Sequence, residues 1–202
     1  MARIVIIDYG LGNLRSVQKG LEQVGASPLI SGNPEEILAA DGVILPGVGA
    51  FGDAMKHLEP IKASIYEYAR SGRPLLGICL GQQVLMSNSE EGGFAKGLDL
   101  IPGKVLRFPK SKLKVPHMGW NNIKIKQTHP LFEGISQNAF VYFVHSYYVD
   151  TAPEYILADC EYGLEFAASV TNSEGNLMGT QFHPEKSGTV GLRLLKNFVG
   201  MC

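Results

Sequence analysis

Through the first 86 residues, short and wholly apolar runs alternate with longer stretches whose apolar positions recur every three to four residues. RIVIID (3–8) predicts a buried strand, and NLRSVQKGLEQVG (13–25) a helix closed by glycine. SPLIS predicts a second strand. PEEILAA predicts a short helix that begins on proline and carries two acids where the positive end of the helix dipole favours them. In DGVILPGVG the strand VIL runs into a glycine-rich turn. FGDAMKHLEPIKASIYEYARSG predicts a helix bent at Pro60, PLLGI a fourth strand, and LGQQVLMSNS the helix after it. Repeated strand–helix units imply parallel strands covered by helices on both faces.

The second half changes character. KVLRF, NIKIK, AFVYFVHSYYV, YILADCEY, FAASVT and LMGTQF read as strands, separated by turn signals such as EGN at 174–176. TVGLRLLKNFVG predicts a closing helix. No repeat, low-complexity segment or linker interrupts the pattern. The expectation is one α/β domain over residues 1–202, with antiparallel strands added in its second half.

Composition narrows the function classes. With 45% hydrophobic residues the chain can bury a full core without disulfides. Charged residues make up 18%, below a typical value of roughly 25%, as expected if a partner covers part of the surface or if the chain is a compact, loop-poor enzyme. A net charge of −1 offers no global attraction to nucleic acid or anionic lipid. The densest basic stretch (103–114, with Lys104, Arg107, Lys110, Lys112 and Lys114) reads as a solvated loop face, or as a docking surface for an acidic partner. Cys79, Cys160 and Cys202 fit neither a disulfide framework nor a zinc site. No run resembles a signal peptide or reaches membrane-spanning length, so a reducing cytoplasm is the expected location. No ligand cluster suggests a metal or cofactor.

One cysteine stands at the junction of the fourth strand and its helix, in GICLG (77–81). Ligands of open parallel sheets bind beyond the carboxyl ends of the strands, where this turn lies. The pattern has the form of a nucleophile elbow with sulfur in place of the serine oxygen. Gly77 and Gly81 remove side chains that would collide across a sharp turn. A thiol attacks as its thiolate, a form favoured by a helix N-terminus and a neighbouring imidazolium. The amide of Leu80 lies at the same turn and can help hold an oxyanion. The alternative is a buried structural cysteine.

Five histidines compete for the role of base: His57, His117, His129, His145 and His183. His57 reads as a surface position on a helix and His129 as a turn residue before proline. His117 and His145 lie in or near strands, as satisfied core or as site residues. His183 differs because TQFHPEKS places Glu185 two positions on, where a carboxylate can orient an imidazole and support its charge. The rival reading is a structural turn capping the last helix. LPGVGAF (45–51) follows the third strand, and its Gly47, Val48 and Gly49 can turn a second amide toward an oxyanion. DYGLGN (8–13) lacks the third glycine of the dinucleotide fingerprint and reads as a turn or contact loop.

Together GICLGQQ, FHPEKS and PGVGAF, in this chain order, resemble the class I glutamine amidotransferases, whose glutaminases use a Cys–His–Glu triad. Within that family PGVGAFGDAM, PHMGWN (116–121) and YFVHSY (142–147) are similar to the glutaminase subunits of imidazole glycerol phosphate synthase, from histidine biosynthesis. The resemblance covers essentially the whole chain and implies a flavodoxin-like fold, with Cys79, His183 and Glu185 as the triad. It implies glutamine held by Gln83 and Glu91, helped by backbone around Ser146 and Tyr147. The PGVG loop would be the oxyanion strand, which the family rearranges when the partner binds its own substrate. The implied partner is a cyclase subunit with a (β/α)₈ barrel, in a heterodimer, with Asn13, Trp120, Tyr142 and Lys186 at the docking face or ammonia gate. Gln82 departs from the family pattern, where methionine or histidine is common; the departure leaves the triad intact and bears on the details of the pocket rim. Other glutaminase subunits, of anthranilate synthase or pyridoxal phosphate synthase, remain alternatives that PHMGWN argues against. A stand-alone thiol hydrolase such as a γ-glutamyl peptidase, and a catalytically inactive binding protein, are the others.

Overall fold

The computed structural model describes residues 2–110 and 113–202, so Lys112 of the basic stretch lies outside the described residues. The first half builds parallel strands and covering helices. Its strands are β1 (Ile4–Ile7), β2 (Leu29–Ser31), β3 (Gly42–Gly47) and β4 (Leu75–Cys79). Helices α1 (Leu14–Gln23) and α2 (Pro34–Leu38) flank β2. The side chain of Asn33 caps α2 by accepting from the Glu35 amide at 2.9 Å. The long helical stretch after β3 is not one bent helix. It divides into α3 (Phe51–Leu58) and α4 (Lys62–Arg70) around a single 3-10 turn, Glu59–Ile61, because Pro60 has no amide to continue the ladder.

Helix α5 (Leu80–Val84) follows β4 and stops sooner than its sequence suggests. The carbonyls of Val84, Leu85 and Met86 are captured by amides of residues 98–101, which fold back over them. The expected helical end becomes strand β5 (Asn88–Ser89) instead. Strands β6 (Ala95–Lys96), β7 (Lys104–Arg107), β8 (His117–Asn122) and β9 (Lys124–Ile125) come next. The apolar run 139–149 is also not one strand. It breaks at Ser146 into β10 (Phe140–His145) and β11 (Tyr147–Asp150), which belong to different sheets. Strands β12 (Ile156–Glu161), β13 (Glu165–Thr171) and β14 (Leu177–Thr180) precede the last helix, α6 (Gly188–Met201).

The main sheet runs β2-β1-β3-β4-β14-β13-β11-β7-β5-β6, with β12 branching from β13 and β9 pairing with β12. Its first five strands are mutually parallel, and β13, β11 and β7 continue antiparallel. Strand alternation sends Val5, Ile7, Val43 and Leu45 into one core with α2–α5, and Ile4, Ile6 and Ile44 into another with α1 and α6. Both layers are close to fully buried, so truncating Ile6 or Ile44 to alanine costs about 2–5 kcal/mol. Strands β8 and β10 form a separate antiparallel pair. Among the described residues no helix is long and apolar enough to cross a membrane. The carboxyl ends of β3, β4 and β14 lie side by side, with Gly47 paired to Cys79 and Ile78 to Thr180.

Candidate active site

Cys79 ends β4 and starts α5 with φ 57° and ψ −108°, a state that side-chain-bearing residues rarely adopt and that costs on the order of 1–3 kcal/mol. The flanking glycines make this turn sterically feasible. A Cβ at Gly77 would stand 2.6 Å from the carbonyl group of Gly81, and one at Gly81 would overlap the carbonyl oxygen of Leu45. Strands β3 and β4 and helix α5 therefore meet backbone to backbone. The cysteine is 8% exposed, and the Nε2 amide of Gln181 donates to its sulfur at 3.7 Å. Leu80 is the first residue of α5, so its amide is among the N-terminal donors that have no partner within the helix.

His183 follows β14 and leads into a one-turn 3-10 helix, Pro184–Lys186. Glu185 reaches it through this turn and not through the alternation of an extended strand. Nδ1 of His183 lies 2.8 Å from Oε1 of Glu185, and the carboxylate side chain is wholly buried. The backbone is pinned on both sides. The His183 amide donates to Tyr142 O at 2.9 Å, and the Ser187 hydroxyl donates to His183 O at 2.6 Å. Burial alone would disfavour the imidazolium, but the Cys79 sulfur and the Glu185 carboxylate outweigh it and lift the pKa to about 9. Nε2 of His183 is buried without a hydrogen-bond partner among the described residues, and its ring shares a cavity wall with Cys79.

That cavity has a volume of about 350 Å³, at the low end of the roughly 300–1,000 Å³ usual for small-molecule sites. Gln83, Glu91, Ser146 and Tyr147 all line it, as do Leu80, Val48 and Gly49. Gly47 does not; it sits in β3, paired with Cys79. Gly49 holds φ +99°, a left-handed state that glycine tolerates best. The Gln83 amide nitrogen donates to Tyr147 O at 3.1 Å and to Gln181 Oε1 at 2.9 Å, which leaves its carbonyl oxygen as an acceptor. Glu91 accepts from the amide of Phe51, the first residue of α3, at 2.8 Å. Its carboxylate is thus held at a helix N-terminus on the cavity wall. A larger hollow of about 640 Å³, lined by Lys126, His129 and Glu133 among others, has no cysteine in its wall, and we place no chemistry there.

Three of the four expected docking residues come together beside this site. Trp120 and Tyr142 are cross-strand partners in the β8–β10 pair, with ring centroids 6.1 Å apart. Lys186 Nζ stands 6.0 Å from the Tyr142 ring centroid. Asn13 lies just before α1, the helix that packs on the Pro184–Lys186 turn. The same face of the pair exposes Met118, Trp120 and Phe140 at 62%, 56% and 59%, an unusual concentration of large apolar surface.

Of the other histidines, His57 is exposed with Nδ1 3.0 Å from Tyr9 O, and His129 accepts the Leu131 amide at the start of a 3-10 turn. His117 and His145 are buried and bonded to each other at 3.0 Å. Gln82 is not at the rim: it is fully buried over Gly179, with neither side-chain polar atom paired among the described residues. Sequence reasoning missed Gln181, although strand spacing puts it two residues before His183. It also missed Tyr9, whose buried hydroxyl lies 2.6 Å from where a Gly47 Cβ would be, and whose pKa burial raises well above that of a free phenol.

The sequence pattern of the family described as glutamine amidotransferase class-I matches residues 5–201. An imidazole glycerol phosphate synthase subunit HisH from Methanosarcina barkeri is 79% identical over 202 residues, covering all of both chains. A protein of the same name from Halobacterium salinarum is 52% identical over 207 residues, covering all of this chain and 94% of its own. Among solved structures, PurLQS from Thermotoga maritima superposes with a TM-score of 0.80 at 20% identity, over 99% of each chain. A crystal structure of a glutamine amidotransferase gives 0.75 at 19% identity, over 98% of this chain and 97% of that one. At that identity the solved structures speak to fold alone.

Proposed function

The chain belongs to the class I glutamine amidotransferase family, and from that premise we propose that it is the glutaminase subunit of an imidazole glycerol phosphate synthase. The full-length relatives bearing that name support the reading. The observation that carries it is one cavity lined by Cys79, His183, Gln83 and Glu91, with Glu185 bonded behind the histidine.

The Cys79 thiolate attacks the side-chain amide carbon of glutamine, and a C–S bond forms as the carbonyl electrons move to oxygen. The amide of Leu80, with one from Gly47, Val48 or Gly49, stabilises that oxyanion; each such donor is worth about 2.7–4 kcal/mol. The His183 imidazolium, oriented by Glu185, gives its proton to the leaving nitrogen, and ammonia departs to leave a γ-glutamyl thioester. Water then loses a proton to His183 and attacks the thioester. Glutamate leaves and the thiolate is restored. The Glu91 carboxylate holds the substrate's α-ammonium, Gln83 its polar backbone end, and the peptide at Ser146–Tyr147 completes the grip.

Ammonia released into bulk water would be protonated and lose its nucleophilicity. Direct passage to a docked cyclase with a (β/α)₈ barrel avoids that loss, and the apolar β8–β10 face bearing Trp120 and Tyr142 is the docking surface. The cyclase uses the ammonia to convert a phosphoribulosyl aminoimidazole intermediate to imidazole glycerol phosphate and an aminoimidazole carboxamide ribotide. All three cysteines are free, as suits a reducing cytoplasm. The test is glutamate release with and without the cyclase and its nucleotide substrate. Strong stimulation by both supports the proposal; full turnover by the chain alone identifies a stand-alone hydrolase.

A further inference from the structure

A line of hydrogen bonds, buried at the His117–His145 pair and at Gln83, Gln181 and Cys79, runs from the inner face of β8 to the glutamine cavity. Asn121 anchors one end. Its Oδ1 accepts the Asn122 amide at 2.9 Å and its Nδ2 donates to Glu161 O at 3.0 Å, so the orientation of its amide is fixed. The same nitrogen lies 3.3 Å from His117 Nε2, which must therefore accept. His117 then carries its proton on Nδ1, 3.0 Å from His145 Nε2. At the other end His145 Nδ1 lies 2.7 Å from Tyr147 O, which can only accept. Both ends thus demand the same direction and the same Nδ1–H tautomer in both rings.

Beyond Tyr147 the connection continues. Its carbonyl also accepts from Gln83, Gln83 donates to Gln181, and Gln181 donates to the Cys79 sulfur. An extra proton on either ring would set donor against donor. Burial disfavours that charge, drawing the His117 and His145 pKa values down to about 4 and about 3, and the cationic His183 acts on His145 in the same direction. Aromatic rings hold the pair in place: Phe143 and Tyr162 stack on His117 at 4.7 and 4.0 Å, and Phe108 and Phe166 close around His145.

Residues alternate along β8, so His117 and Asn121 point inward while Met118 and Trp120 face out. We infer that His117 and His145 are positioning residues, a neutral one-way relay that ties the docking sheet to the Tyr147 carbonyl and Gln83. The inference rests on the proposed glutaminase reading for its kinetic consequence, but not for the relay itself. A shift of β8 would be felt at the groups that hold glutamine.

Two measurements test it. In the unsubstituted chain labelled with ¹⁵N-histidine, two-bond correlation spectra at neutral pH should show protonated Nδ1 and bare Nε2 in the rings of His117 and His145. The His117→Asn and His145→Asn variants assign them. A proton on Nε2, or a charged ring, overturns the relay. In the complex with the cyclase, His117→Phe keeps an aromatic ring but cuts the line, and should lower kcat/KM for glutamine about five- to tenfold, chiefly through KM. His117→Asn, whose amide nitrogen stands near the place of Nδ1, should recover most of that loss. A purely structural role would reduce the melting temperature and leave KM unchanged, and an unchanged KM in folded His117→Phe refutes the positioning role. If His117→Phe does not fold, the tautomers in the unsubstituted chain decide. An unsubstituted complex that releases no glutamate would refute the proposed function, and the tautomers would still judge the relay.

Discussion

Nδ1 of His183 and Oε1 of Glu185 stand 2.8 Å apart inside a single turn of chain, with only Pro184 between them. The proline fixes the bend, burial of the carboxylate keeps water from competing, and the histidine is held charged, its ring on the wall of the cavity that Cys79 also lines. The first prediction concerns that charge. Glu185→Gln removes one of the two groups that raise the His183 pKa, so its titration midpoint should fall from about 9 toward the 6.5 of an ordinary imidazole. Cys79→Ala should lower it as well. NMR titration of the ring measures both, and a midpoint unmoved in both variants would contradict the electrostatic account. Glutamine turnover by Glu185→Gln should drop on the order of 10²–10⁴-fold.

The sign of the pH dependence follows from these shifts. His183 has a raised pKa, so its contribution to stability is fully present below pH 6.5 and is lost as pH rises through about 9. His117 and His145 have lowered values, so theirs is present above pH 6.5 and is lost as pH falls toward 4 and 3. Unfolding free energy measured in urea should therefore decline on both sides. Replacing His145 by phenylalanine should flatten the acid slope between pH 6.5 and 4; an unaltered slope would show that the pair does not stay neutral.

Gly81 is a steric test of the elbow. Its substitution by alanine forces a methyl group into the Leu45 carbonyl, a backbone atom that cannot swing away. A loss of about 3 kcal/mol is expected, with turnover reduced in whatever folds. Wild-type stability and activity in Gly81→Ala would mean that β3 and α5 do not meet as described.

Gln82 offers a change in the opposite direction. Both its amide oxygen and nitrogen are buried without partners among the described residues, against Gly179. Methionine has similar reach and no hydrogen-bonding need, so Gln82→Met should stabilise the fold by about 1–2 kcal/mol in denaturant titrations. A loss of stability would show that the amide has a partner.

Much of the fold is legible in the sequence because the strands β1, β3 and β4 are buried on both faces and read as uninterrupted apolar runs. The elbow is legible too, since a close backbone approach calls for two glycines around a cysteine. The limits of α5 are not, because the loop that captures its carbonyls is twelve or more residues away in sequence. Strand β8 is hidden because His-Met-Gly-Trp-Asn-Asn has little strand propensity of its own; pairing with β10 creates it. The break at Ser146 is invisible for a related reason: both halves of the run are apolar, and only their different partners separate them. Gln181, His117 and His145 belong to a network that closes between distant segments, and no local pattern marks such contacts in advance.

The claim on which the chemistry depends is that Cys79 carries the glutamyl group between the two half-reactions. The direct measurement is the mass of the Cys79 peptide after the complex, with its cyclase and nucleotide substrate, is quenched in acid during glutamine turnover. The account predicts a fraction of that peptide heavier by one glutamyl group, abolished in Cys79→Ala together with ammonia release. Normal glutamine turnover by Cys79→Ala, or a glutamyl group found on another residue, would contradict it.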